Sequence, residues 1–139
     1  MTIKLLALDL ERTLIDNSLS GRPRPGLSDF LAFCFERFGR IAIFTTVEEA
    51  EARTVLTGLD RAGYLPPGLL EQVEFINWCG EYKDLSFVPD AAPTEIILID
   101  DDATWVRPDQ RGQWLSIAAW DGGPDNELRR VRAVLEGLA

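Results

Sequence analysis

The chain has 139 residues, 46% hydrophobic and 27% charged, with a formal net charge of −9, two cysteines and no histidine. That length suits a single domain, 1–139, which buries roughly 65–70% of the surface its unfolded chain exposes and needs no disulfide. The acidic balance argues against a nucleic-acid or anionic-membrane binder, and the missing histidines exclude Ser-His-Asp and Cys-His chemistry and imidazole-based zinc sites.

The N-terminus, Met1 to Asp9, is too short and too soon charged for a signal peptide. No run approaches the roughly 18 apolar residues of a membrane span, so a cytoplasmic protein is expected. Ile3 to Leu10 is an almost continuous apolar run ending in Asp9-Leu10-Glu11, the pattern of a strand buried on both faces. Asn17 to Gly26, rich in Ser, Gly, Arg and Pro, reads as a loop. Leu27 to Phe38 predicts a helix with Leu27, Phe30, Leu31, Cys34 and Phe38 on one face, stopped by Gly39; Cys34 then reads as a buried free thiol. Ile41 to Thr45 predicts a second strand. Thr46-Val47-Glu48-Glu49 matches a capping box, with Thr46 as N-cap of a helix running to about Ala62, before Gly63. Pro66-Pro67-Gly68 marks a turn and a short helix start. Val73 to Ile76 reads as a weaker third strand, Ile96 to Asp100 as a clear fourth and Trp114 to Ile117 as a fifth. The last helix, Asp125 to Leu138, carries Leu128, Val131, Leu135 and Leu138 on one face.

Strands alternating with helices predict an α/β fold: a Rossmann-like three-layer α/β/α sandwich around a five-stranded parallel sheet, with ligands beyond the carboxyl ends of the strands. At those ends the sequence places Asp9 and Glu11 after the first strand, Thr45-Thr46 after the second and Asp100-Asp101-Asp102 after the fourth. A lone Asp after a strand is commonly a cap or turn residue. Two acidic strand ends and a hydroxyl one, gathered at one sheet edge, point instead to a site. Carboxylates at close range cannot all stay ionised alone. A hard cation resolves the conflict, and Mg²⁺ prefers one or two carboxylates plus phosphate oxygens. The cluster thus predicts Mg²⁺ and a phosphorylated ligand together.

At this point the residues resemble a known pattern. Leu8-Asp9-Leu10-Glu11-Arg12-Thr13-Leu14 is similar to the Asp-x-Asp-x-Thr nucleophile motif of the haloacid dehalogenase superfamily. The nearest likeness is to the branch of RNA polymerase II C-terminal-domain phosphatases, also called NLI-interacting-factor-like. Arg24-Pro25-Gly26-Leu27, Ile43-Phe44-Thr45-Thr46, Tyr82-Lys83-Asp84-Leu85-Ser86 and Ile99-Asp100-Asp101-Asp102-Ala103 resemble the branch's further motifs in order, over nearly the whole chain. The resemblance implies that Asp9 attacks phosphorus and forms an aspartyl-phosphate. It implies Mg²⁺ held by the side chains of Asp9 and Asp101 and the carbonyl of Glu11, with Asp100 holding a metal water or orienting Lys83. It further implies that Thr45 donates to a phosphate oxygen, that Lys83 balances the charge of Asp9 and the phosphoryl group, and that Thr13 braces the loop. Thr46 reads as a helix cap before a phosphate ligand, and Arg12 as either an anion-binding group or a solvated one.

The sequence also departs from that pattern. Glu11 stands where the family has the Asp that protonates the leaving oxygen and then activates water. Glu is one methylene longer, and a misplacement of about 1 Å can cost on the order of 100-fold in rate. There is no room for a cap domain, and the loop from Ile15 to Arg24 lacks a longer insertion of the polymerase-tail phosphatases. The expectation is an open-site Mg²⁺-dependent phosphomonoesterase for a phosphoprotein or another bulky phosphorylated substrate, small molecules included, as a monomer or weak homodimer. The alternatives are a catalytically impaired domain that binds a phosphorylated partner, and other nucleophilic-aspartate chemistry such as phosphotransfer. Of the four tryptophans, Trp78 is the candidate for the site mouth.

Overall fold

The computed structural model describes residues 2–138. Strands β1 (Leu5–Leu8), β2 (Arg40–Ile43), β3 (Glu74–Phe75), β4 (Ile96–Asp100) and β5 (Trp114–Ser116) form one parallel sheet in the order β3-β2-β1-β4-β5. The chain steps outward from β1 to β3, returns to the other side of β1 as β4, and ends at β5. The direction therefore reverses between β1 and β4, where open parallel sheets bind ligands. Every residue of β1 and β4 is buried, which is why both read as unbroken apolar runs.

The two faces of the sheet are covered differently. Leu6, Leu8, Ile41, Ile43, Ile97 and Ile99 pack in one apolar cluster with α1 (Leu27–Arg37), α2 (Glu49–Arg61), α3 (Leu69–Gln72) and α4 (Glu127–Leu138). On the opposite face, Leu5, Ala7, Ala42, Ile96 and Leu98 meet Leu85, Val88 and Val106, with Trp78 and Trp114 packed alongside. That second cover is made of 3₁₀ turns at Leu85–Phe87, Pro93–Glu95, Ala103–Trp105 and Pro108–Gln113. The Rossmann-like sheet is as the sequence indicates, but strict strand-helix alternation fails after β3. The physical reason is local. Asp84 and Asp102 cap two of these turns by accepting the N–H groups of Ser86 and Thr104, and each turn lasts only three to six residues before the next residue leaves it in extended conformation, too few to lay an apolar helical face on the sheet.

Three smaller expectations are corrected. Thr46 is not a helix cap: it lies exposed in a bend, and α2 starts at Glu49 after Glu48, with no side-chain cap. The Thr45 hydroxyl takes the N–H of Val47 at 3.1 Å and turns the chain earlier. Gly39 does not end α1 through a left-handed residue; Phe38 leaves the helix in extended conformation and buries its ring. Leu138 is half exposed, because α4 outruns the core after Leu135. Gly63, by contrast, takes φ 87° after α2, and Tyr64 N–H closes on the Leu59 carbonyl. Cys34 is a buried free thiol and Cys79 an exposed one. The described residues between β1 and α1, and between β2 and β3, form no separate cap, and none of their helices is long and apolar enough to cross a membrane.

Candidate active site

Three acids meet at the carboxyl end of the two central strands. Asp9 is the first residue after β1, tied by its N–H to the Ile99 carbonyl at 3.0 Å; Asp100 closes β4 and Asp101 follows it. Carboxylate oxygens of Asp9, Asp100 and Asp101 all lie within 4.8 Å of one another. Lys83, 1% exposed, reaches in from the turn-covered face and donates to Asp9 Oδ1 at 3.0 Å and Asp100 Oδ2 at 2.5 Å. Its own N–H is held by the Trp105 carbonyl at 2.8 Å. The buried Thr13 hydroxyl sits 2.9 Å from Asp9 Oδ2 and 3.3 Å from Asp101 Oδ1, and so bridges the two carboxylates. The Asp102 N–H donates to Asp100 Oδ1 at 2.9 Å.

One ammonium faces three carboxylates in a buried setting. Burial pushes the Asp9 carboxyl up to about 8; Lys83 opposes the rise and Asp100 adds to it. Burial also raises Asp100, again against Lys83. The group therefore favours an extra positive charge, from a proton or a cation. Its donors are all hard oxygens, which fits Mg²⁺ or a similar divalent ion. The Glu11 carbonyl accepts no hydrogen bond among the described residues.

The remaining residues singled out in the sequence lie around this centre. Thr45 is buried one strand away; its oxygen accepts from Val47 while its carbonyl accepts the Trp78 indole N–H at 2.8 Å. The Glu11 side chain is outside the three-carboxylate group, with Oε2 accepting the Ser18 N–H at 2.7 Å. Arg12 takes φ 63°, a left-handed conformation that costs a non-glycine residue about 1–2 kcal/mol. It is held there because its N–H closes on the Ile15 carbonyl at 2.7 Å. Its side chain is 61% exposed and lies 3.5 Å from Asp121. Thr46 faces solvent.

Sequence reasoning missed two buried supports. Arg24, 1% exposed, pairs with Asp125 through Nε at 2.7 Å and Nη2 at 3.0 Å, and its remaining N–H groups bond the carbonyls of Arg12, Thr13 and Ala118. It ties the loop after Asp9 to the start of α4, and the only sequence signal was the Arg-Pro-Gly that opens α1. Asp16, 2% exposed, organises the same loop. Burial alone would raise its carboxyl, but hydrogen bonds from Ser20, Arg22 and the N–H groups of Asn17 and Arg22 hold it well below the usual carboxylate range.

Comparisons with known proteins bear on the fold and the family. Among solved structures, a D,D-heptose 1,7-bisphosphate phosphatase from Burkholderia thailandensis has a similar fold, with a TM-score of 0.55 at 16% identity, covering 96% of this chain and 98% of that one. A search of curated proteins finds no match. The family described as NLI interacting factor-like phosphatase matches residues 4–139. With its acidic strand ends, buried lysine and parallel sheet, the chain belongs to the NLI interacting factor-like phosphatase family, within the haloacid dehalogenase superfamily.

Proposed function

We propose that the chain is a Mg²⁺-dependent phosphomonoester hydrolase that works through a phosphorylated Asp9. The observation that carries this reading is the buried Asp9 carboxylate, held between Lys83 and Thr13 with Asp100 and Asp101 at its side. Asp9 and Asp101, with Asp100 and the Glu11 carbonyl, would hold Mg²⁺, which when bound offsets the negative charge that otherwise keeps a carboxylate from a phosphate. Asp9 attacks phosphorus, and the bond from phosphorus to the ester oxygen breaks. Glu11 gives that oxygen a proton, then takes one from the water that releases inorganic phosphate and regenerates Asp9. Lys83 stabilises charge on the phosphoryl group, and Thr13 fixes the Asp9 carboxylate. Thr45, whose oxygen already accepts from Val47, keeps its hydroxyl proton for a phosphate oxygen. The uncapped site suits phosphate on a protein or another bulky molecule.

One observation favours a second reading, an impaired domain that binds a phosphorylated partner: the Glu11 carboxylate is engaged by Ser18, outside the carboxylate group. Hydrolysis of p-nitrophenyl phosphate by the native chain, Asp9→Asn and Glu11→Asp separates the two. The first reading expects Mg²⁺-dependent turnover that Asp9→Asn lowers on the order of 10⁴-fold. Inert native protein together with an active Glu11→Asp variant selects the second, and full activity in Asp9→Asn overturns the nucleophile assignment.

A further inference from the structure

A cavity of about 430 Å³ opens beside the carboxylates, one strand over from Asp9, and meets the site at Thr45 and Trp105. Its size is that of a small-molecule pocket. Its wall is aromatic and fixed. Trp78 packs edge-on against Trp105 at 5.8 Å and against Phe44 at 5.7 Å between ring centroids. The indole N–H of Trp78 is anchored on the Thr45 carbonyl, so the ring is set from the same residue to which the phosphatase reading assigns a phosphate oxygen. The charged residues lining the cavity are Glu48 and Glu49, with no lysine or arginine. Glu49 is paired with Arg53, whose guanidinium lies 4.2 Å over the Phe75 ring. Glu48 has no ion-pair partner among the described residues. The N-terminus of α2 contributes only about half a positive charge here, less than the carboxylates beside it.

With Phe75 already covered by Arg53, the cavity sets the Trp78 and Trp105 indoles beside the unpaired Glu48 carboxylate, a combination that favours cations over anions. We propose that this cavity is the subsite for the alcohol part of the substrate, and that it selects phosphomonoesters whose alcohol carries a cationic group. The proposal rests on the phosphatase reading and specifies its substrate class. Thr45 stands at the junction, with the phosphate on the Asp9 side and the cation on the Trp78 side. A second anionic group on the alcohol is disfavoured.

The test uses matched pairs that differ only in charge. Choline and its neutral isostere 3,3-dimethylbutan-1-ol are titrated into the whole chain, followed by tryptophan fluorescence and calorimetry. Phosphocholine and 3,3-dimethylbutyl phosphate are then compared as substrates with Mg²⁺. A serine-phosphorylated peptide with a neighbouring arginine, against its norleucine counterpart, forms the third pair. The cationic member is expected to be favoured about 10-fold, and Glu48→Gln or Trp78→Phe to shrink that ratio to about 2-fold or less. Preference in the small pairs alone assigns the cation to an amino alcohol, and in the peptide pair alone to a protein side chain; either supports the subsite. Equal treatment in every pair, or a preference for 3-phosphoglycerate over phosphocholine, overturns it. Choline binding without hydrolysis of any phosphate would keep the subsite and sink the phosphatase reading. Hydrolysis without charge preference would do the reverse.

Discussion

The helix-covered and turn-covered faces of the sheet divide the work of the molecule. The helical face is almost wholly apolar and packs α1, α2 and α4 on Leu6, Leu8, Ile41, Ile43, Ile97 and Ile99. The turn-covered face is thinner, and it is from that side that Lys83 reaches the carboxylates, from a segment leading into the turn at Leu85–Phe87 and pinned to Trp105. A long helix buries its own backbone groups, whereas short turns leave carbonyls and N–H groups that can hold a lysine in place. The difference teaches that the site is fed from both sides of β1: the lysine arrives from the turn-covered face, while the loop bearing Thr13 is anchored on the helical face, whose larger apolar cluster carries most of the packing.

Substitutions on the two faces should therefore fail in different ways. Lys83→Met leaves Asp9 and Asp100 buried without their ammonium, and removal of one charge-stabilising donor costs on the order of 10²–10³-fold in kcat. Leu135→Ala, on the helical face and fully buried, is expected to cost about 2–5 kcal/mol of stability while kcat per folded molecule stays unchanged. Denaturant melts and kinetics on both variants check the contrast, and a Leu135→Ala variant that is stable but slow would break it.

A gentler test uses pH. The folded-state pKa of Asp9 is raised, to about 8, and that of Asp100 is raised as well. The stability they give is therefore full below the ordinary carboxylate value near 4 and is lost as pH climbs towards 8. Asp16, Asp84, Asp125 and Glu127 are lowered, so their contribution is present above that value and lost only on acidification. Between pH 5 and 8 the sheet edge alone should respond. Without divalent ions Tm should fall with rising pH, and Mg²⁺ should raise Tm more at pH 8 than at pH 5. Thermal melts in EDTA and in Mg²⁺ measure this, and a Mg²⁺ effect that does not change with pH would place the ion elsewhere.

Much of this was legible in the sequence. β1 and β4 announced themselves as apolar runs ending in Asp, and the buried faces of α1 and α4 follow helical periodicity, whereas α2 was read from a cap at Thr46 that does not form. The turn layer was not legible, because residues from Ile76 to Glu95 and from Asp101 to Gln113 have neither the 3.6-residue nor the two-residue period. Two adjacent threonines gave no local reason to choose the first as the turn-former, yet it is the Thr45 hydroxyl that takes the Val47 N–H. Arg24 and Asp125 are 101 residues apart, so their pairing depends on how α4 returns beside α1. The Glu11 to Ser18 hydrogen bond depends on the left-handed turn at Arg12, which a non-glycine residue seldom signals.

The most direct test of the central claim is chemical trapping during turnover. Borohydride reduces an acyl phosphate on aspartate to homoserine, which mass spectrometry locates in the chain. Quenching the enzyme with substrate and Mg²⁺ should convert Asp9 and no other acid, and the modification should vanish without substrate. Phosphate hydrolysis with no such conversion at Asp9, or with conversion at Asp100 or Asp101 instead, would contradict the account.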